Sequence, residues 1–104
     1  MFVPLARRED LLPHEVLFRV CGEEWIGLYQ LGGQVFAIDA RCPHAGALLT
    51  RGEVCDGVLS CPIHHWRFRL SDGKYLDEDA PRHDLRMFPI RVVDGQIEVD
   101  LPEA

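Results

Sequence analysis

Ile90-Arg91-Val92-Val93-Asp94-Gly95-Gln96-Ile97-Glu98-Val99-Asp100-Leu101 carries the strongest structural signal in this chain. Asp-Gly between two β-prone runs marks a type I′ hairpin, because both turn residues take positive φ, which Asp tolerates and Gly accepts freely. In the second run Ile97, Val99 and Leu101 fall on one face and Gln96, Glu98 and Asp100 on the other, the alternation of a strand with one buried side. The same grammar repeats toward the N-terminus. Val16 to Cys21, Trp25 to Leu31 and Gln34 to Asp39 are short runs separated by Gly22-Glu23-Glu24 and Gly32-Gly33, which predicts a meander of three strands. Asp56-Gly57 before Val58 to Cys61, and Asp72-Gly73 after Arg67 to Leu70, predict another tight meander in the middle. The one helical pattern is a single turn at Glu9 to Leu12, stopped by Pro13. The expected architecture is all-β, a sandwich or partial barrel, with residues 40–70 forming loops that project from one end.

A chain of 104 residues suffices for one core, so residues 1–104 are expected to form a single domain. It is 47% hydrophobic and 27% charged, with 9 Gly and 7 Pro scattered along it, an ordinary globular composition. No apolar run approaches the ~20 residues that span a bilayer, and Met1-Phe2-Val3-Pro4 leads into Arg7-Arg8-Glu9-Asp10 without the apolar stretch of a signal peptide. A cytoplasmic location is the expectation. The formal net charge of −6 argues against nucleic acid, whose phosphates require clustered Lys and Arg. It suits protein partners with basic faces, or serves only as a solubilising exterior.

Four cysteines in a short cytosolic chain point to metal or redox chemistry rather than to disulfides. Arg41-Cys42-Pro43-His44-Ala45-Gly46 contains a C-x-H pair and Ser60-Cys61-Pro62-Ile63-His64 a C-x-x-H pair, with sixteen residues between His44 and Cys61. Each pair lies on a tight loop begun by Cys-Pro, and a hairpin between them brings the loops side by side. Two thiolates and two imidazoles at one point suit iron–sulfur or zinc, not magnesium or calcium.

Cys42-Pro43-His44-Ala45-Gly46-Ala47-Leu48-Leu49 followed by Cys61-Pro62-Ile63-His64 resembles the paired loops of Rieske iron–sulfur proteins. The similarity continues through Trp66-Arg67-Phe68, Asp72-Gly73 and the final hairpin, covering about residues 20–101. The resemblance implies a Rieske-like β-sandwich with a small cluster-binding subdomain at one end and one [2Fe–2S] cluster. In that reading Cys42 and Cys61 hold one iron while His44 and His64 hold the other. Zinc modules with two Cys and two His usually begin with C-x2–4-C or end in H-x3–5-H, and neither is present. Replacing two thiolates by neutral imidazoles removes two negative charges from the site. An added electron then meets less repulsion, which lifts such centres to about −150 to +300 mV from the about −400 mV of plant-type ferredoxins.

Some departures bear on where in that range the chain falls. High-potential relatives carry a disulfide between the loops, where this chain has Ala47 and Ile63. They also carry Ser and Tyr hydroxyl donors to the cluster sulfurs, where this chain has Trp66 and Phe68. The expectation is a potential near the about −150 mV end. The residue after the second histidine is usually Gly in the family and is His65 here, at a position that then requires positive φ or close approach. His65 is a competitor of His64 as ligand, or an imidazole beside the site.

The resemblance implies a one-electron carrier between a flavin-containing NAD(P)H reductase and a ring-hydroxylating terminal oxygenase, catalysing nothing alone. An alternative is the small subunit of an assimilatory NAD(P)H nitrite reductase, which Leu49-Thr50-Arg51-Gly52 and Leu70-Ser71-Asp72-Gly73-Lys74-Tyr75-Leu76-Asp77 resemble comparably well. A zinc-stabilised interaction module is a third reading. Cys21 and Cys55 are expected to be free thiols, His14 and His83 exposed loop residues, and Trp25, Phe36 and Phe88 core residues. Asp79-Ala80-Pro81 is either a loop that covers the cluster or a plain turn. Arg41, Arg51, Arg67 and Arg69 lie near the cluster loops, so the tip is expected to differ in sign from the acidic body.

Overall fold

The final hairpin forms as its sequence dictates: Val93 pairs with Gln96 across a turn in which Asp94 and Gly95 have φ of 51° and 77°. The computed structural model describes residues 1–12, 15–43, 46–63 and 65–102. Its strands are β1 (Phe2–Arg7), β2 (Val16–Cys21), β3 (Glu24–Leu31), β4 (Gln34–Asp39), β5 (Glu53–Cys55), β6 (Val58–Ser60), β7 (Arg67–Arg69), β8 (Met87–Phe88), β9 (Ile90–Val93) and β10 (Gln96–Asp100). Short 3-10 turns occur at Arg8–Asp10, Leu49–Arg51 and Pro81–His83, and no α-helix occurs among the described residues. The strands make three antiparallel sheets, ordered β1-β10-β9, β2-β3-β4-β8 and β5-β6-β7.

The four-stranded sheet is the middle layer. One of its faces gives Ile26, Leu28, Val35 and Ala37 to a core shared with Ile97, Val99 and Leu101. The other gives Tyr29 and Ile38 to a second core with Leu59, Phe68, Leu70, Cys42 and Cys61. A strand buried on both sides has no polar face to show, which explains why Ile26 to Tyr29 in β3 is buried without a break.

Two strands lie outside the sequence expectation. β1 pairs with β10, from the opposite end of the chain, and contains Pro4 beside a bulge that shifts the register between Pro4 and Ala6. Such long-range pairing leaves no local turn signal, and proline is tolerated there because β1 is an edge strand. Arg19 closes the seam between the two edge strands by donating from Nε to the Leu5 carbonyl and from Nη1 to the Phe18 carbonyl, each at 3.0 Å. β8 has only two residues, held by pairing with Ala37 and Ile38 of β4. The helical turn sits at Arg8–Asp10, slightly earlier than expected; Pro13 lies outside the described residues.

The Tyr29 hydroxyl is buried with no hydrogen-bond partner among the described residues, and burial pushes its pKa well up. A stranded hydroxyl costs about 1–3 kcal/mol in desolvation. Tyr29→Phe is therefore expected to stabilise the protein by about 1 kcal/mol, raising the thermal midpoint by about 4–8 °C. A lower midpoint in a melting experiment would mean the hydroxyl has a partner.

Candidate metal centre

Cys42 and Cys61 open two loops with the same backbone circuit. The Cys42 N–H donates to the Ala47 carbonyl at 2.8 Å, and the Gly46 N–H returns to the Cys42 carbonyl at 2.8 Å. The Cys61 N–H donates to the Trp66 carbonyl at 2.8 Å, and the His65 N–H returns to the Cys61 carbonyl at 3.1 Å. In each loop the fourth residue after the cysteine is left-handed, Gly46 at φ 70° and His65 at φ 57°. The expectation of positive φ at His65 therefore holds, and the imidazole side chain carries a steric cost that Gly46 avoids.

The loops are joined at their bases. Leu49 N–H reaches the Ala40 carbonyl at 2.7 Å, and Gly52 N–H reaches the Leu49 carbonyl at 2.8 Å. Gly52 then passes so close to Ser60 that a Cβ on it would lie 1.9 Å from the Ser60 carbonyl oxygen. Ser60 immediately precedes Cys61.

Cys42 is 2% exposed and Cys61 0%, and both thiols belong to the same buried core. His44 and His64, the other two expected ligands, lie outside the described residues. No described buried residue is charged. Thiolates in such a core need their charge balanced by something other than a side chain, so the donor set fits an iron-containing group. Cys21 is half-buried, Cys55 is exposed and both are free, as expected.

The segment after β7 forms a strap against this core. Ala80, 5% exposed, packs in the same core as the two cysteines. Asp77 accepts from the Arg67 backbone N–H and Nε, each at 2.8 Å. Asp84 accepts from the Tyr75 N–H at 3.0 Å. His83 is not the exposed loop residue expected: it is half-buried, with its ring 4.9 Å from Trp66 and 5.6 Å from Tyr75. The interleaved rings, drawn from segments far apart in sequence, account for the difference.

One further expectation needs correction. Trp25 is 37% exposed rather than a core residue; Phe18 meets it edge-on at 6.0 Å and Arg41 lies over it at 5.8 Å. Three of the four arginines near the loops have their charge met by a carboxylate, while the fourth, Arg51, is exposed. Arg41 pairs with Asp39 at 3.2 Å, Arg67 with Asp77 at 2.7 Å and Arg69 with Asp72. Pro43, Pro62, Ile63 and His65, next to the two cysteines in sequence, are exposed.

Burial alone would raise the Asp77 carboxyl, but hydrogen bonds from Arg67 outweigh it and hold it below the usual carboxylate range. The Arg69 guanidinium likewise holds Asp72 at about 2. Carboxyls depressed in the folded state stabilise it above their unfolded pKa, about 3.9, and that contribution is lost as pH falls through the folded value. The thermal midpoint should therefore drop between about pH 5 and pH 2, and Asp77→Asn should flatten part of the drop. An unchanged pH profile in that variant would remove Asp77 from the account.

Tyr75 is a core residue that sequence reasoning passed over. It bridges to Phe68, so continuing the alternation of β7 across the Asp72-Gly73 turn would have found it.

A family model described as Rieske [2Fe-2S] domain matches residues 1–92. The anthranilate 1,2-dioxygenase ferredoxin subunit of Burkholderia cepacia is 34% identical over 99 residues, covering 94% of this chain and 90% of that protein. The 3-phenylpropionate/cinnamic acid dioxygenase ferredoxin subunit of Escherichia coli K12 is 35% identical over 94 residues, covering 89% of this chain and 88% of that protein. Among solved structures, the Sphingomonas yanoikuyae B1 ferredoxin superposes with a TM-score of 0.87 at 22% identity, covering 98% of this chain and all of that one.

Proposed function

Since this chain belongs to the Rieske [2Fe–2S] domain family, we propose that it is the one-electron carrier of a ring-hydroxylating oxygenase system, with Cys42, His44, Cys61 and His64 holding the cluster. The observation that carries this reading is the pair of matched loops, each begun by a buried cysteine, meeting in one uncharged core. The family's group supplies reversible one-electron acceptance when bound.

The chain's own residues do the rest. Cys42 and Cys61 enter from the interior, where Leu49, Leu59 and Phe68 keep water from the sulfurs. The 77–83 strap adds Ala80 to the same shield. Pro43, Pro62, Ile63 and His65 form the outward end against which a partner docks. The chain's net charge of −6, with Asp77, Glu78 and Asp79 exposed on the adjoining strap, favours a partner whose docking face is ringed by basic residues.

The donor is a flavin-containing NAD(P)H reductase and the acceptor a terminal oxygenase. Two dioxygenase ferredoxin subunits at 34% and 35% identity, matched over most of their length, support this reading over the nitrite reductase subunit. Residues 1–104 act as one domain. No described helix is long and apolar enough to cross a membrane, and the reading is of a cytoplasmic protein.

An anaerobic redox titration followed by EPR tests the proposal. A rhombic signal of mixed Cys and His ligation, appearing as the potential is lowered, is the expected result. A colourless protein with bound zinc, or with no metal and no sulfide, would overturn it.

A further inference from the structure

A cavity of about 220 Å³ opens where the middle sheet meets the small sheet. Val16, Leu31, Val54 and Leu70 give it apolar walls. Leu70 is fully buried and Val16 and Leu31 are half-buried, whereas Val54, Glu15 and Gly32 are exposed and mark the mouth. Gly52, which also lines the cavity, is the residue packed against Ser60, immediately before Cys61. An occupant therefore lies against the joint between the two cysteine loops.

The polar side chains around the cavity belong to Glu15, Tyr29 and Gln30. Gln30 turns its amide away, donating from Nε2 to the carbonyl of Leu11 at 2.7 Å, and Leu11 belongs to the core on the opposite face of the sheet. Tyr29 is 4% exposed, and its hydroxyl is the one buried side-chain polar atom without a partner among the described residues. Buried donors in native proteins are nearly always paired, whether by protein, ordered water or ligand. An unpaired one on the wall of a cavity points to an occupant.

The walls select its chemistry. An apolar cavity of about 150 Å³ suffices to take up benzene, so this one has room for a single ring with a short substituent. Each water molecule would need about 2–4 polar partners, and apart from one sealed hydroxyl the enclosed side chains are apolar. The aromatic side chain of Tyr29 favours a ring over an aliphatic chain. Glu15 at the mouth and the net charge of −6 repel anions.

We propose that this cavity is a binding site for a small, uncharged, single-ring aromatic compound whose oxygen accepts the hydrogen bond of the Tyr29 hydroxyl. The hydroxyl is sealed within the wall, so Leu31 or Val54, its less buried neighbours along the cavity, swings aside as the ligand enters.

The probes are acetophenone and ethylbenzene, similar in shape, the second with a methylene in place of the carbonyl. In isothermal titration calorimetry on the purified protein, acetophenone should saturate one site. It should bind about threefold to tenfold more tightly than ethylbenzene, the net worth of one hydrogen bond. Tyr29→Phe, expected to fold at least as well as the wild type, should bring the two affinities together by weakening acetophenone alone. Val54→Phe fills the mouth with a side chain suited to a strand and should abolish binding of both. Benzoate, the matching anion, should not bind.

The absence of saturable acetophenone binding would leave the cavity to ordered water and overturn the proposal. Binding untouched by Val54→Phe, or a preference for acetophenone that persists in Tyr29→Phe, would overturn it too. None of the cavity's described residues is a proposed cluster ligand. Calorimetry therefore decides this site and the redox titration decides the electron-carrier reading, each without the other.

Discussion

Cys61→Ser is expected to yield a folded but colourless protein, without iron or inorganic sulfide. The side chain is fully buried in a core that contains no charged residue, and a serine hydroxyl cannot replace a thiolate toward soft metal. The fold should persist because the hydrogen bonds that close the loop run through the Cys61 N–H and carbonyl, not its sulfur. Burying the hydroxyl costs about 1–3 kcal/mol, which the two extended cores can absorb. Cys21→Ser is the control, since Cys21 lies in β2 and packs with the core on the far side of the middle sheet. Visible absorption, metal and sulfide analysis and far-ultraviolet circular dichroism read both variants. Retained colour in Cys61→Ser, or lost colour in Cys21→Ser, would overturn the ligand assignment.

Gly52→Ala should be among the most disruptive single-methyl changes available. The backbone at Gly52, φ −81° and ψ 178°, is open to any residue, so the constraint is contact and not dihedral preference. A Cβ would sit 1.9 Å from the Ser60 carbonyl oxygen and 3.1 Å from that of Leu49, and neither backbone atom can swing aside as a side chain does. Relief requires breaking the Glu53 to Ser60 pairing and displacing Cys61. The expected loss is about 3 kcal/mol or more, the upper end for overpacking, or more than about 10 °C in thermal midpoint. Gly22→Ala provides the comparison. Gly22 has φ 60° but nothing within 4 Å of a Cβ, so only the left-handed backbone penalty of about 1–2 kcal/mol applies. If Gly22→Ala proved the more damaging of the two in a melting experiment, the close approach at Gly52 would be disproved.

The legible parts of the fold were those specified by short-range chemistry. Asp94-Gly95, Asp56-Gly57 and Gly32-Gly33 each encode a turn within a few residues, and the strands beside them follow. β1 was hidden because its pairing with β10 depends on residues at the opposite end of the chain. Trp25 looked like a core residue because a large apolar side chain on a strand usually is one; its exposure is settled only by what the fold packs against it. The pairing of Arg41, Arg67 and Arg69 was hidden because their partners Asp39, Asp77 and Asp72 reach them only after the turns have closed. For the site, the C-x-H and C-x-x-H spacing picked out the two cysteines that the fold buries in one core, and the resemblance pointed to the left-handed residue at 65. Tyr75 was not, because what matters about it is the space it shares with Cys42 and the rings that hold it.

The matched circuits at Cys42 and Cys61 bear on assembly. A loop whose ends are tied by two backbone hydrogen bonds has given up part of its conformational entropy at those ends before any metal arrives. The two cysteine anchors are then brought into one core by the chain itself, so part of the ordering that cluster insertion needs is done beforehand. The same anchoring bears on the working cycle: sulfurs whose backbone is tied on both sides have little to rearrange when the electron comes or goes.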